Sequence, residues 1–298
     1  MEPRQHKLGI VTGEKGGGKS NTTLGTILDI KRGDPTKGIL PRHVLIIDVN
    51  DEYGYFKHYH DKYPPQAIDG KRWHPWRVEA ISPEHVSWLS EHKIPQVRRI
   101  IMLRPDGEKM SIDELQEVLY GVLQKFGNGV MLIEDINKYT THSFSNEMIG
   151  AIVSHRHSNL DIMMHYQSIG KVNPTLWQNM NYLRMHREGD SARRIKNRIP
   201  EIHQYIQLAQ EIINKRFANG DKRFFCYYKK DDMTVEGKFT EAEAREAVMK
   251  VISINQNELL KPLTNQMDER GRKIYTTESA IQHLMDQYMT ETMRPLLK

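Results

Sequence analysis

Eight residues near the amino end carry the densest chemistry in the chain: Gly13-Glu14-Lys15-Gly16-Gly17-Gly18-Lys19-Ser20 meets the pattern G-x-x-x-x-G-K-[ST]. The glycines permit backbone conformations closed to residues with side chains, so successive N–H groups can turn inward around a phosphate. Lys19 neutralises β/γ oxygens, and Ser20 offers a hydroxyl to Mg²⁺. The helix expected to start here, with Asn21 in its first turn, points its positive end at the same anion. Gly13 to Asn21 is thus the expected binding stretch for ATP with Mg²⁺.

A phosphate cradle needs acids from elsewhere, and the apolar run Val130-Met131-Leu132-Ile133 ends in Glu134-Asp135. Adjacent residues on a strand point to opposite faces, so one acid can reach a Mg²⁺ shell while the other orients a water. Position assigns Glu134 to the metal side and Asp135 to the water.

The elements that must hold these groups alternate between short β-branched runs and helix-like stretches, the pattern of a mostly parallel sheet covered by helices on both faces. The fold class expected is α/β, with a C-terminal helical extension. Strands are expected at 8–12, 43–48, 99–103, 129–133, 160–165 and 182–186, and helices at 20–31, 111–126 and 145–155. Ser111-Ile112-Asp113-Glu114 forms a capping box that opens the second of these helices. Residues 54–96 hold three of the four tryptophans with no clean period and are expected as an irregular insertion with a short helix near 83–92. A helix (201–217), a hairpin (224–228 and 234–239, turning at Asp231-Asp232) and a helix (241–251) complete a domain of residues 1–251. Residues 252–276 are expected as a linker. At 277–298 an amphipathic helix carries Ile281, Leu284, Met285 and Tyr288 on one face.

With these motifs in place the chain resembles the FtsK/HerA superfamily of ring-forming, DNA-pumping P-loop ATPases over about residues 7–200. Val44-Leu45-Ile46-Ile47-Asp48-Val49-Asn50-Asp51-Glu52-Tyr53 is similar to that group's second strand, and the resemblance implies Asp48 and Glu52 near the phosphates, Asp48 on the metal side. Ile162-Met163-Met164-His165-Tyr166-Gln167 is similar to the strand whose terminal glutamine senses the γ-phosphate, which implies that role for Gln167. Arg156 falls where FtsK-type proteins keep an arginine offered to the neighbouring subunit's nucleotide; Arg184 and Arg187 are alternatives for it. The resemblance implies a RecA-like P-loop NTPase fold, a homo-oligomeric ring of six or five subunits, and double-stranded DNA as partner. Two departures matter. The family ends its fourth strand in Asp-Glu where this chain has Glu134-Asp135, which leaves the metal and base assignments open. Neither an N-terminal β-barrel nor a membrane anchor is expected, leaving nearly a bare motor of the kind that packages viral genomes.

Two basic groups are candidates for the DNA contact. One crowds Arg184, His186, Arg187, Arg193, Arg194, Lys196 and Arg198 together, with Arg187, Arg193, Arg194 and Lys196 as the residues singled out; the other interleaves Lys222, Arg223, Lys229 and Lys230 with Phe224, Phe225, Tyr227 and Tyr228. Duplex DNA carries a charge every ~1.7 Å, so a ring lined with such side chains would grip it without reading bases. Solvated faces balanced by Glu188, Asp190 and Glu201 are the competing account, and the aromatics at 224–228 fit the core face of a hairpin.

Composition limits the classes that remain. At 298 residues the chain can bury a core without staples. Lys plus Arg exceed Asp plus Glu by 43 − 38 = 5, an excess that permits a polyanionic partner without demanding one. No apolar run approaches the roughly 18 residues that cross a bilayer. A single cysteine, Cys226, cannot form an internal disulfide, and the first residues lack the layout of a secretion signal, so a cytoplasmic setting is expected. Two other readings stay open. A ParA-like partition ATPase is suggested by Lys15-Gly16-Gly17, although Lys15 stands four residues before Lys19 where that family has five. A conjugation, secretion or toxin-export ATPase would instead dock a protein partner through the C-terminal helix, the surface by which a packaging motor would meet a capsid or portal protein.

Overall fold

The structure, a computed structural model, describes residues 6–34, 36, 39–53, 67–68, 71–72, 78–136 and 144–297. Strands β1 (Leu8–Thr12), β2 (His43–Asp48) and the run Gly129–Ile133 are buried at every position. Such strands need cover on both faces, which is why they are near-continuous runs of Val, Ile, Leu and Met rather than alternating ones. The α/β class with a mostly parallel sheet is therefore the observed one.

The chain divides into two compact units. The first comprises Met1–Val11, Gly18–Gln167 and Thr175–Met180; the second Thr12–Gly17, Ser168–Pro174 and Asn181–Lys298.

In the first unit β1 and β2 are joined by β3 (Val97–Ile101), β4 (Gly129–Ile133) and β5 (Asp161–His165). All are parallel, in the order β1-β5-β4-β2-β3. Helices α1 (Lys19–Arg32), α2 (Val86–Glu91), α3 (Ile112–Lys125), α4 (Asn146–Val153) and α5 (Pro174–Asn179) supply the connections. Val44, Ile46, Val130, Leu132, Met163, Val11 and Ile27 form one core layer with Tyr53. The expected capping box closes: Ser111 Oγ accepts from Glu114 N while Glu114 accepts from Ser111 N. The third strand starts two residues earlier than expected, because Val97 pairs with Val44 and Ile101 with Asp48. Within the expected insertion, a 3₁₀ turn at Pro83–His85 leads into α2, matching the short helix, and a two-rung ladder pairs Ala67–Ile68 with Lys71–Arg72. Its remaining residues, 54–66, 69–70 and 73–77, lie outside the described residues.

In the second unit β6 (Tyr182–Met185), β7 (Cys226–Lys229) and β8 (Thr234–Gly237) run antiparallel, and β9 (Met293–Pro295) adds parallel to β8. Helices α6 (His203–Ala218), α7 (Glu241–Ile254), α8 (Gln256–Thr264) and α9 (Thr277–Gln287) pack with them. Two expectations are corrected here. Residues 252–276, expected as a linker, are helical over much of their first half: α7 runs on to Ile254 and α8 follows after Asn255, whose Nδ2 donates to Gln207 Oε1 (2.8 Å) and Val251 O (2.9 Å). A short helix with only Leu260 buried leaves a sequence that looks polar. The C-terminal helix does not reach the end either: its α-helical part closes at Gln287, a π-helical turn continues it over Tyr288–Thr292, and β9 then returns the chain to the sheet. Leu284, Met285 and Tyr288 are buried, and the Tyr288 hydroxyl donates to Gln204 Oε1 at 2.7 Å, so the stripe read as a docking face is internal packing. Among the described residues, no helix is long and apolar enough to cross a membrane.

Candidate active site

The glycine-rich loop has left-handed backbone at Gly13 (φ 145°), Gly16 (φ 83°) and Gly18 (φ 84°). At Gly13 space also matters, since a Cβ would lie 2.7 Å from His186 Cβ. Within the second unit, Glu14 N donates to Arg187 O (2.8 Å), His186 N to Thr12 O (3.0 Å), and His186 Nδ1 lies 3.0 Å from Gly17 O. His186 is fully buried and fastens the loop, so it is no part of a DNA-facing basic group.

In the first unit α1 begins behind Gly18 without a side-chain cap and without an acid in its first turn. Helices α3, α4, α7 and α9 each start on a Ser or Thr that accepts a backbone N–H. A helix start left open in this way suits an anion, since its orphan N–H groups and positive end face outward.

The strand registers bring the acids together. Ile47 pairs with Ile133 and Ile133 with Met164, so Asp48, Glu134 and His165 follow one another along the carboxyl edge of β2, β4 and β5. Ligands bind at that edge in open α/β sheets. Asp48, with no exposed surface, accepts from Glu52 N and Tyr53 N (both 2.9 Å) and pairs with Arg99 Nη1 (2.9 Å). Arg99 also bonds Asp51 and donates through Nε to Val78 O (3.0 Å). Its burial opposes the charged form, but the two carboxylates outweigh it and raise its pKa. Asp48 thus anchors the turn that carries Glu52, and its oxygens are engaged by protein groups rather than turned to a cation.

Glu134 is 6% exposed; its Oε1 accepts from the Tyr53 hydroxyl and stands 2.9 Å from His165 Nδ1. Burial alone would push the carboxyl up, yet His165, Tyr53 and the Lys19 ammonium together hold it below the usual range. Tyr53, fully buried beside that carboxylate, is raised well above an ordinary phenol. Asp135 adopts φ 44° and accepts from Gln167 Nε2 at 2.9 Å, with Asn50 Nδ2 at 3.5 Å. Ser20 Oγ donates to Glu52 Oε2 at 3.4 Å. Desolvation, then the charges of Glu134, Asp48 and Asp135, raise Glu52 above an ordinary glutamate. Glu52, Glu134 and Asp135, whose charges repel one another, make a region that favours a cation.

Of the residues expected from sequence, the first unit gathers Lys19, Ser20, Asp48, Glu52, Glu134, Asp135 and Gln167. Arg156 lies in the 3₁₀ turn Ser154–Ser158, its side chain outside the described part. In the second unit Lys15 and Gly16 are exposed, and Glu14 sits 3.4 Å from Arg187 Nε. Arg187 also covers the Phe217 ring at 3.7 Å, and Arg184 is buried, so neither stands free to reach a polyanion. Lys196 pairs with Glu258. Arg193 and Arg194 are exposed, Arg194 with Asp190 at 2.8 Å. Phe224 and Tyr228 are buried, as expected for the core side of the hairpin.

Sequence reasoning missed Tyr53, Thr23, His165, Asn50 and Arg99. A signal existed for His165, a polar residue closing the run Ile162-Met163-Met164, but nothing local names its partners. Among the described residues, no three or more His, Cys, Asp or Glu side chains are arranged to hold a metal by themselves. The Ser20 hydroxyl and the Glu52 and Glu134 carboxylates are oxygen donors of the kind Mg²⁺ takes beside waters and substrate phosphates.

No family model matches the chain, and no curated protein does. Among solved structures it is similar to the genome packaging NTPase B204 from Sulfolobus turreted icosahedral virus 2 in complex with ATP-gammaS, at 16% identity and TM-score 0.49, over 78% of this chain and 96% of that one. It is also similar to the N-terminal domain of zonular occludens toxin from Neisseria meningitidis (14% identity, 61% of this chain and 77% of that one, TM-score 0.31). A third is the Legionella pneumophila ATPase DotB (10% identity, 61% and 41%, TM-score 0.32). At such identities the likeness concerns the fold alone.

Proposed function

We propose that this chain is a Mg²⁺-dependent ATPase that works as a homo-oligomeric ring of six or five subunits and drives double-stranded DNA, in the service of genome packaging. One observation carries the reading: Lys19, Ser20, Glu52, Glu134, Asp135 and Gln167 meet at the carboxyl edge of a parallel sheet, beside a helix start that no side chain caps.

Bound Mg²⁺·ATP would supply the phosphoanhydride and a cation that draws charge from it. Lys19 and the open first turn of α1 balance phosphate charge, and Ser20 with Glu134, kept ionised, faces the cation. Asp135 accepts the proton of the attacking water, and the Gln167 amide fixes that carboxylate and the water's approach. Asp48 serves as anchor for Glu52 and not as a cation ligand, because backbone N–H groups and Arg99 occupy its oxygens. Arg156 is the group offered to a neighbouring subunit's nucleotide. Arg193, Arg194 and Arg198 are exposed cations of the basic segment and the part of it available to DNA phosphates.

The test is ATP hydrolysis by purified protein with and without duplex DNA at low salt. Hydrolysis stimulated by DNA and suppressed by salt is the expected result, since phosphate contacts release counterions. No DNA-stimulated turnover would end the translocase reading. A dimer rather than a ring on size exclusion with a non-hydrolysable nucleotide would favour a partition-type ATPase.

A further inference from the structure

The polar side chains beneath Glu134 form a continuous bridge inside the first unit. His165, 1% exposed, closes an otherwise apolar strand. Its Nδ1 stands 2.9 Å from Glu134 Oε1, and its Nε2 lies 2.9 Å from the hydroxyl of Thr23, itself fully buried on α1. On the far side the same Glu134 oxygen takes the Tyr53 hydroxyl, and Tyr53 N is held by Asp48. A buried imidazole costs desolvation that an apolar side chain of similar size would not, and the Thr23 hydroxyl and Glu134 carboxylate, each 2.9 Å from one ring nitrogen, offset it.

We propose that His165 is a positioning residue that ties Glu134 to the phosphate-side helix through Thr23, so that the acid's placement follows the first turn of α1. The inference rests on the ATPase reading above. Thr23 lies three and four residues beyond Ser20 and Lys19, on the same helix face. Whatever shifts that turn is carried along a rigid helix to Thr23, through a ring with no slack between its two nitrogens, and into the carboxylate. Asp135 stands outside this bridge. It adopts a positive φ and accepts from the amides of Gln167 and Asn50. The two neighbouring acids therefore sit in separate frames: one keyed to α1 through imidazole, the other to the end of β5 through an amide.

The experiment compares His165→Leu, His165→Gln and Thr23→Val in the full chain, measuring kcat, nucleotide affinity with a fluorescent ATP analogue, and denaturant unfolding. Losing a partner that orients a site carboxylate commonly costs about 10- to 100-fold in activity, and His165→Leu should fall in that range with nucleotide affinity changed by less than about 3-fold. His165→Gln, able to serve one side only, should recover part of the loss, and Thr23→Val should lie between Gln and wild type. A folded His165→Leu protein with kcat within about 2-fold of wild type overturns the proposal, as does an equal loss of affinity and kcat in all three variants. If the wild type binds no nucleotide, the ATPase reading fails by itself. The bridge is then judged from unfolding alone: destabilisation by His165→Leu and Thr23→Val together should be at least tenfold smaller in equilibrium constant than the product of the two singles, and simple multiplicativity rejects it.

Discussion

Gln167 donates from Nε2 to Asp135 Oδ1 across 2.9 Å, joining the second residue after β5 to the second residue after β4. Two side chains 32 positions apart in sequence thereby act as one group at the carboxyl edge of the sheet. Gln167→Ala removes the amide that fixes the carboxylate and should lower kcat by about 10²-fold, the low end for a misplaced acid–base group. Asp135→Asn, which leaves the bond geometry but no base, should lower it by about 10³-fold or more with nucleotide affinity preserved. Steady-state kinetics paired with titration calorimetry separates the two parameters, and an Asp135→Asn enzyme with normal kcat would remove Asp135 from the chemistry.

Lys19 opens the first turn of α1, and its ammonium is among the charges that hold Glu134 ionised. Lys19→Ala should abolish measurable nucleotide binding and hydrolysis while the fold survives, because the residue is only half-buried and begins a helix that Ala also favours. Calorimetry with a non-hydrolysable analogue, alongside circular dichroism, checks both halves of this expectation.

Arg99 is the buried counter-charge for Asp48. Arg99→Leu strips Asp48 of its buried counter-charge, and breaking a buried pair from one side costs about 3–5 kcal/mol. Urea unfolding measures it. The double variant Arg99→Leu/Asp48→Leu should recover much of that loss in stability yet not in hydrolysis, since Glu52 would lose the turn that carries it.

Glu52 gives a pH signature. Its folded-state pKa is raised above the ordinary glutamate value, by desolvation first and by its acidic neighbours second. Folded protein therefore holds this proton more tightly than unfolded chain does, so stability falls as pH climbs from the unfolded pKa through the folded one and stays reduced above it. Glu52→Gln should melt higher than wild type at pH 8 by about 1–2 °C, a small shift because the side chain is well exposed, and the gap should close near pH 4. A variant that melts lower than wild type at pH 8 contradicts this electrostatic account. Mg²⁺ with nucleotide should narrow the same gap by stabilising the wild type more.

What the sequence alone determined is what local pattern can encode. The near-continuous apolar runs at 43–48 and 129–133 specified buried parallel strands, the Ser111 and Glu114 spacing specified a helix start, and the glycine and lysine spacing of residues 13–20 specified a loop for phosphate. Those features depend on residues within one turn or strand of each other, so they survive without knowledge of neighbours. The β3 start needed more, because Val97 belongs to the strand only through its partner Val44. Helix α8 and strand β9 were hidden in polar sequence for the same reason: a single buried leucine and a three-residue edge gain their order from surfaces contributed by distant segments. The site followed that division. Glu134 and Asp135 could be named from a strand end and Gln167 only from the family resemblance, whereas the commitment of Asp48 to Arg99, the fastening of the loop by His186, and the Thr23–His165–Glu134–Tyr53 bridge were decided by strand register and burial. A buried polar group must find its partner wherever the fold brings one, and no spacing along the chain records which one that is.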